Sequence, residues 1–349
     1  MNILLLPISF LYHFILSIRH KLYDWHLLKS KRFEQPVICV GNLALGGTGK
    51  TPHVEYLIDL LSEQYRVCVV SRGYGRKTKG FQLALENNSA ETIGDEPMQY
   101  FSKFKDLLVA VDENRNRAIE LMDTMDRPPE LYLLDDAFQH LSTQAGLNIL
   151  LTAYEKLYCE DFLLPAGTLR DIRKAAKRAD LIVVSKSPKD LDAEQEDAVV
   201  AKLKPLSHQK VFFSSLEYEP LDPLNDAAEK LSPENAEGVL LFCGIARPKP
   251  LIDELSSRYQ HLETVTYNDH HAFTESDIKT LINRFEQLPW ERKIMVTTEK
   301  DYARLINSPY LCQFELVPLF AVPIRVNIHQ EEKFNKEILD YVRKDHHHG

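Results

Sequence analysis

The stretch VICVGNLALGGTGKTP, residues 37–52, decides the fold. A run of strand formers leads into Gly46, Gly47, Thr48, Gly49, Lys50 and Thr51, and a helical pattern follows. That strand–loop–helix context is what a Walker A phosphate-binding loop requires. Glycines let the backbone wrap closely and point N–H groups at phosphate oxygens, and the helix N-terminus adds a favourable dipole. Lys50 is expected to reach the β- and γ-phosphates of a nucleotide, and Thr51 to hold Mg²⁺. Ala44 stands where the first glycine of the motif usually falls.

Working outward, short β-rich runs alternate with helix-length segments. Strands are expected at 36–41, 66–71, 107–111, 131–136, 147–152 and 180–185, with helices in HVEYLIDLLSEQ (53–64) and NRNRAIELMDTM (114–125). Near-continuous Val/Ile/Leu runs suit parallel strands covered on both faces. The expected class is α/β: a three-layer α/β/α P-loop domain over 34–217 and a smaller α/β domain over 238–344. Residues 218–237, with three prolines and many acids, read as the hinge between them.

Composition narrows the function. The 349 residues are 44% hydrophobic and 27% charged, which excludes a disordered or fibrous chain. The net charge of −9 argues against nucleic acid as a partner. Five scattered cysteines without a C-x-x-C pair suggest neither a zinc site nor a disulfide framework. Residues 1–33 differ from the rest: MNILLLPISFLYHFILSI is followed by Arg19, Lys21, Lys29, Lys31 and Arg32, with Asp24 the only acid before Glu34. The apolar run is short of the ~20 residues a spanning helix needs. An apolar helix with a basic collar suits a surface anchor on an anionic cytoplasmic leaflet. Packing on the body of the protein is the other reading. The closing DHHHG (345–349) is set aside.

A P-loop enzyme also needs a carboxylate near Mg²⁺ at a strand end. LYLLDD supplies Asp135 and Asp136, expected to bind the metal directly or through water. Guanine readers carry N-K-x-D. VVSKSP (183–188) and TTEKD (297–301) lack the aspartate two residues after the lysine, so ATP is the expected nucleotide. Other polar clusters fall near strand ends: SRGYGR (71–76), GDEP (94–97), LLPAGTLRD (163–171) and YNDHHAF (267–273).

Together, VGNLALGGTGKTP, SRGYGR, GDEP, LDDAFQHL, LLPAGTLRD, the DHH segment and TEKD resemble the tetraacyldisaccharide 4'-kinase family of lipid A biosynthesis, over most of the chain. The resemblance implies γ-phosphoryl transfer from ATP to the 4'-hydroxyl of an acylated glucosamine disaccharide 1-phosphate, at the cytoplasmic face of the bacterial inner membrane. It implies Asp95 as candidate base, paired with His270 and with Asp269 behind it; His271 is the adjacent alternative. Arg72, Arg76 and Arg170 are the cations expected for the substrate's 1-phosphate. Ala137 and Thr168 depart from the family's usual Gly and Pro. A membrane-associated partitioning-type ATPase is the competing class, but Leu45 occupies the place of its signature lysine.

Overall fold

The computed structural model describes residues 3–346. Met1, Asn2 and the last three residues of DHHHG lie outside the described residues. The strands are β1 (Val37–Asn42), β2 (Val67–Ser71), β3 (Gln82–Leu83), β4 (Leu108–Val111), β5 (Leu131–Asp135), β6 (Leu147–Ala153), β7 (Leu181–Ser185), β8 (Lys210–Tyr218), β9 (Asp222–Pro223), β10 (Gly238–Cys243), β11 (His261–Thr266), β12 (Lys293–Thr298), β13 (Leu319–Val322) and β14 (Ile324–Ile328).

Nine strands form the larger sheet in the order β14-β8-β7-β6-β1-β5-β2-β4-β3. It is parallel except at its two ends, where β3 and β14 run antiparallel to their neighbours. Every residue of β1, β2, β5 and β7 is buried, as their unbroken apolar runs predict. The alternation of β1 divides the core. Ile38 and Val40 face the P-loop helix Lys50–Ser62 and the C-terminal helix, while Val37 and Cys39 face the helix Arg115–Asp123 and Leu16 near the N-terminus. That is the expected three-layer arrangement. Five strands, β11-β10-β12-β13-β9, make the smaller sheet. Helix Lys249–Arg258 covers one face and helix Glu275–Gln287 the other.

The domain boundaries differ from the expected ones at the C-terminal end. β14 pairs with β8 of the larger sheet, and helix Glu331–His346 buries Phe334, Ile338 and Val342 in the first core. These residues recur every four positions, an apolar stripe that must be covered, and β8 leaves an open edge beside the P-loop helix. Residues 218–237 are not a free linker either. β9 pairs with β13, and Leu221 and Ala228 are buried in the second core. The passage between domains is a two-stranded ribbon, with Tyr218 opposite Ile324 and Glu219 N–H donating to Pro323 O at 3.1 Å.

Helix Leu6–Asp24 docks on the first domain rather than standing free. Ser9 Oγ donates to Leu163 O, Tyr12 to Arg170 O and Arg19 to Gln139 O, and His20 meets buried Asp171 at 2.6 Å. Its other face exposes Ile8, Phe10, Leu11, Phe14 and Ile15. The reading in which this segment packs on the body of the protein therefore holds for its inner face. No helix among the described residues is long and apolar enough to cross a membrane.

Candidate active site

The P-loop emerges from the middle of the larger sheet. Gly49 is left-handed (φ 81°) where the loop turns into its helix, a conformation that favours glycine. Asn42, fully buried, donates from Nδ2 to Thr48 Oγ1 at 2.7 Å, and Ser185 Oγ donates to Thr48 O at 2.7 Å. His53 braces the loop from below, with Nδ1 2.7 Å from Gly49 O and Nε2 2.9 Å from Ser214 Oγ. Because Gly49 O can only accept, Nδ1 carries the proton and Nε2 accepts from Ser214. Burial pushes the His53 pKa down to about 4, so the brace is a neutral ring.

Asp135 and Asp136 end β5 beside the loop. Asp136 receives a two-pronged hydrogen bond from Arg170, whose Nη2 also donates to Asn42 Oδ1 at 2.7 Å. Lys50 Nζ lies 3.9 Å from Asp136 Oδ2. Burial alone would raise the Asp136 pKa, but the Arg170 hydrogen bonds and the Lys50 charge hold it below the usual carboxylate range. Asp135 is different. Burial, then the charges of Asp136 and Glu96, push it up to about 7. Its only hydrogen-bond partner among the described residues is Ser71 Oγ at 3.4 Å.

The Arg170 loop is joined to the P-loop directly. Leu45 N–H donates to Thr168 O at 2.7 Å, and Arg170 N–H to Leu43 O at 2.8 Å. Ala44 pairs with Leu169 in the same contact. Two of the departures from the common motifs, Ala44 and Thr168, thus belong to one seam.

Asp95 opens the helix Asp95–Lys103. Gly94 before it has φ 99°, and a Cβ there would lie 2.9 Å from Gly73 Cα, so the GDEP and SRGYGR turns pack backbone against backbone. His270, from the second domain, places Nδ1 2.8 Å from Asp95 Oδ2. Arg304 Nε donates to the same oxygen at 2.7 Å. Burial would raise the Asp95 pKa, but His270 and Arg304 outweigh it and hold the group ionised. Lys300 Nζ stands 3.5 Å from His270 Nε2 and 3.1 Å from Glu96. Asp269 stands behind the ring, its Oδ2 3.8 Å from His270 Nε2, while its Oδ1 accepts the backbone N–H of left-handed His270 (φ 61°) at 3.1 Å. His271 turns away to Asp277 Oδ2 at 3.0 Å.

The TEKD segment explains how the second domain reaches the first. Thr298 caps the helix Glu299–Leu305, and buried Asp301 holds Gly244 N–H and Arg304 Nη1. Across the seam, Lys103 bridges Glu55 at 2.8 Å and Glu299 at 2.7 Å.

The three expected substrate arginines have separate fates. Arg76 is tied to Glu113 at 2.6 Å and to Gly80 O at 2.8 Å, bracing its own turn. Arg170 is committed to Asp136 and Asn42. Arg72 is exposed. Two side chains near it were not anticipated. Arg115 is buried, with Nε lacking a hydrogen-bond partner among the described residues. The His140 pKa is pushed down to about 4 by burial and then by Arg115, Arg19 and Arg72, so basic groups converge there. Arg304 was also missed, although it stands one helical turn after the aspartate of TEKD.

A Walker A loop on one domain and, near it in the fold, a carboxylate clamped by the other domain are the parts expected of a P-loop phosphotransferase. Comparison with known proteins makes this particular. The family profile described as tetraacyldisaccharide-1-P 4'-kinase matches residues 1–343. The tetraacyldisaccharide 4'-kinase of Bacteroides thetaiotaomicron is 43% identical, with 98% of this chain and 93% of that protein covered. That of Flavobacterium johnsoniae is 43% identical over 99% of each chain. The crystal structure of LpxK from Aquifex aeolicus in complex with ATP superposes with a TM-score of 0.73 at 32% identity, covering 97% of this chain and 98% of that one. The chain belongs to the tetraacyldisaccharide 4'-kinase family. It is a kinase of lipid A biosynthesis that phosphorylates the 4'-hydroxyl of tetraacyldisaccharide 1-phosphate with ATP as donor.

Proposed function

We propose that transfer takes place in the cleft between the two domains, with the P-loop holding ATP and the Asp95–His270 pair addressing the acceptor. The observation that carries this reading is the 2.8 Å contact between Asp95 and His270, which assembles a proton-accepting pair from both domains. The acceptor 4'-oxygen attacks the γ-phosphorus, the bond from phosphorus to the β,γ-bridging oxygen breaks, and the hydroxyl proton passes to the Asp95–His270 pair. A sugar hydroxyl is a poor nucleophile, so such a base contributes ~10²–10⁴-fold. Lys50 neutralises the phosphoryl oxygens, and the amides of Gly46 to Thr51 orient the chain of phosphates.

Thr51, Asp135 and Asp136 would hold Mg²⁺. A buried acid with a single weak hydrogen bond beside a second acid is an oxygen donor set suited to a hard cation. Two protein carboxylates and a hydroxyl would leave the rest of the ion's shell to phosphates and water. When bound, Mg²⁺ supplies charge neutralisation across the β- and γ-phosphates.

The acceptor's own phosphate falls to Arg72 and the basic ground around His140, because Arg76 and Arg170 already have carboxylate partners. Its acyl chains stay in the bilayer, where the outward face of helix Leu6–Asp24 would lie. The basic residues flanking that helix favour the anionic cytoplasmic leaflet of the inner membrane.

The test is a double-mutant cycle on kcat with His270→Ala, Asp95→Ala and the double variant. If the residues act as one unit, each single change costs nearly as much as both. Multiplicative losses would show independent roles, and a silent His270→Ala would remove the second domain from the chemistry.

A further inference from the structure

The turn after β7 carries a lysine that the chemistry above does not use. Ser185 ends that strand bonded to Thr48 O inside the P-loop, and Tyr154 N–H donates to Ser185 O at 2.9 Å, so the turn is pinned to the phosphate site. Lys186 follows in a left-handed conformation (φ 57°) uncommon for a lysine. The turn brings its ammonium back over the loop: a Cβ on Gly47 would sit 3.8 Å from Lys186 Nζ. Among the described residues no carboxylate lies within ion-pair distance of Lys186 and no hydrogen bond engages it. Burial, and then the charge of Arg247 in the second domain, outweigh the attraction of the more distant Glu155 carboxylate and hold the ammonium below the usual lysine pKa. Arg247 is exposed on the loop that follows β10. A desolvated cation with no carboxylate in direct contact is unfavourable unless an anion arrives to meet it.

We infer that Lys186 is a second ligand for the nucleotide's phosphates, reaching them from the β7 side of the P-loop while Lys50 approaches from the β5 side. The sheet order places β1 between those two sides, so the lysines flank the phosphate chain. Arg247 brings the second domain's charge to the same anion when the cleft closes. The inference rests on the P-loop binding ATP.

The test uses the full chain with Lys186→Met, Lys186→Arg and Lys50→Met. Affinities for ADP and inorganic pyrophosphate are measured with Mg²⁺ and without lipid, alongside the thermal midpoint of the ligand-free protein. Lys186→Met is expected to weaken both ligands ~10-fold, the loss of a charge-assisted hydrogen bond. Lys186→Arg keeps most of the affinity, and the ligand-free midpoint does not fall in Lys186→Met, because a desolvated cation without a direct ion pair has been removed. Unchanged ADP and pyrophosphate binding in Lys186→Met, with Lys50→Met impaired, would overturn the inference. So would a loss seen only for ADP, which would place Lys186 on the base, or one seen only in KM for the lipid. If Lys50→Met also binds normally, the P-loop reading itself fails.

Discussion

Arg304 Nε lies 2.7 Å from Asp95 Oδ2, although the two residues are 209 positions apart and belong to different domains. His270 Nδ1 meets the same oxygen. One carboxylate oxygen therefore receives both contacts by which the second domain orients the candidate base. Arg304 is itself held by buried Asp301 and Gly244 O, so its guanidinium arrives in a fixed direction.

Removing Arg304 has a predictable sign. His270 and Arg304 lower the Asp95 pKa, so the candidate base is ionised down to below the ordinary carboxylate value of about 3.9. Arg304→Met removes one of these effects and raises that pKa. The acid limb of the kcat/KM profile should move to higher pH, and kcat should fall as the carboxylate loses its orientation. A profile superimposable on that of the wild type would mean that Asp95 does not titrate in the reaction.

In the P-loop, Lys50→Met should reduce phosphoryl transfer by orders of magnitude while the protein stays folded, since the one ion pair of Lys50 among the described residues is with Asp136 at 3.9 Å. Asp135→Asn and Asp136→Asn should each raise the Mg²⁺ concentration needed for half-maximal activity, because an amide is a weaker ligand for a hard cation. Magnesium titrations give the answer; unchanged curves in both variants would leave the acids without a metal role.

The first helix calls for surface substitutions rather than deletion. Its inner face holds Leu163 and Arg170 through Ser9 and Tyr12, so removing it would disturb the Arg170 loop. Phe10→Ser, Leu11→Ser and Phe14→Ser alter only exposed positions. Combined, they should abolish most co-flotation with anionic vesicles and lower activity on vesicle-borne acceptor, with little effect on detergent-dispersed acceptor. Retained flotation would place the membrane contact elsewhere.

The return of the chain to the first domain predicts a stability effect. Phe334 is 2% exposed and packs edge-on against Phe212 of β8 and Tyr56 of the P-loop helix. Phe334→Ala should destabilise the protein by about 3–5 kcal/mol, as for other buried aromatic truncations. Denaturant unfolding measures it. A loss below about 1 kcal/mol would mean the C-terminal helix is dispensable to the core.

What was legible in the sequence was local. Glycines at 46, 47 and 49 between a Val/Ile run and an amphipathic helix have few other uses, and the unbroken runs of β5 and β7 require cover on both faces. What was not legible depends on pairing at a distance. Ile324–Ile328 reads as any short strand, and nothing nearby says that its partner is β8, more than a hundred residues earlier. The arginines show the same limit. Arg76 and Arg170 looked free because Glu113 and Asp136, which engage them, are remote in sequence. Arg304 did leave a local trace, since an arginine three residues after a buried aspartate on a helix shares its face.

The central claim is that this cleft moves a phosphoryl group onto a lipid sugar, and label transfer tests it most directly. The purified full-length chain is incubated with γ-labelled ATP, Mg²⁺ and tetraacyldisaccharide 1-phosphate in mixed micelles. The label should appear in the lipid as a new phosphate monoester at the 4'-oxygen, with one ADP formed for each lipid phosphorylated, and Asp95→Ala should lose the transfer. ATP consumed with the label released only as inorganic phosphate, and the lipid unchanged, would contradict the account and favour a switch ATPase.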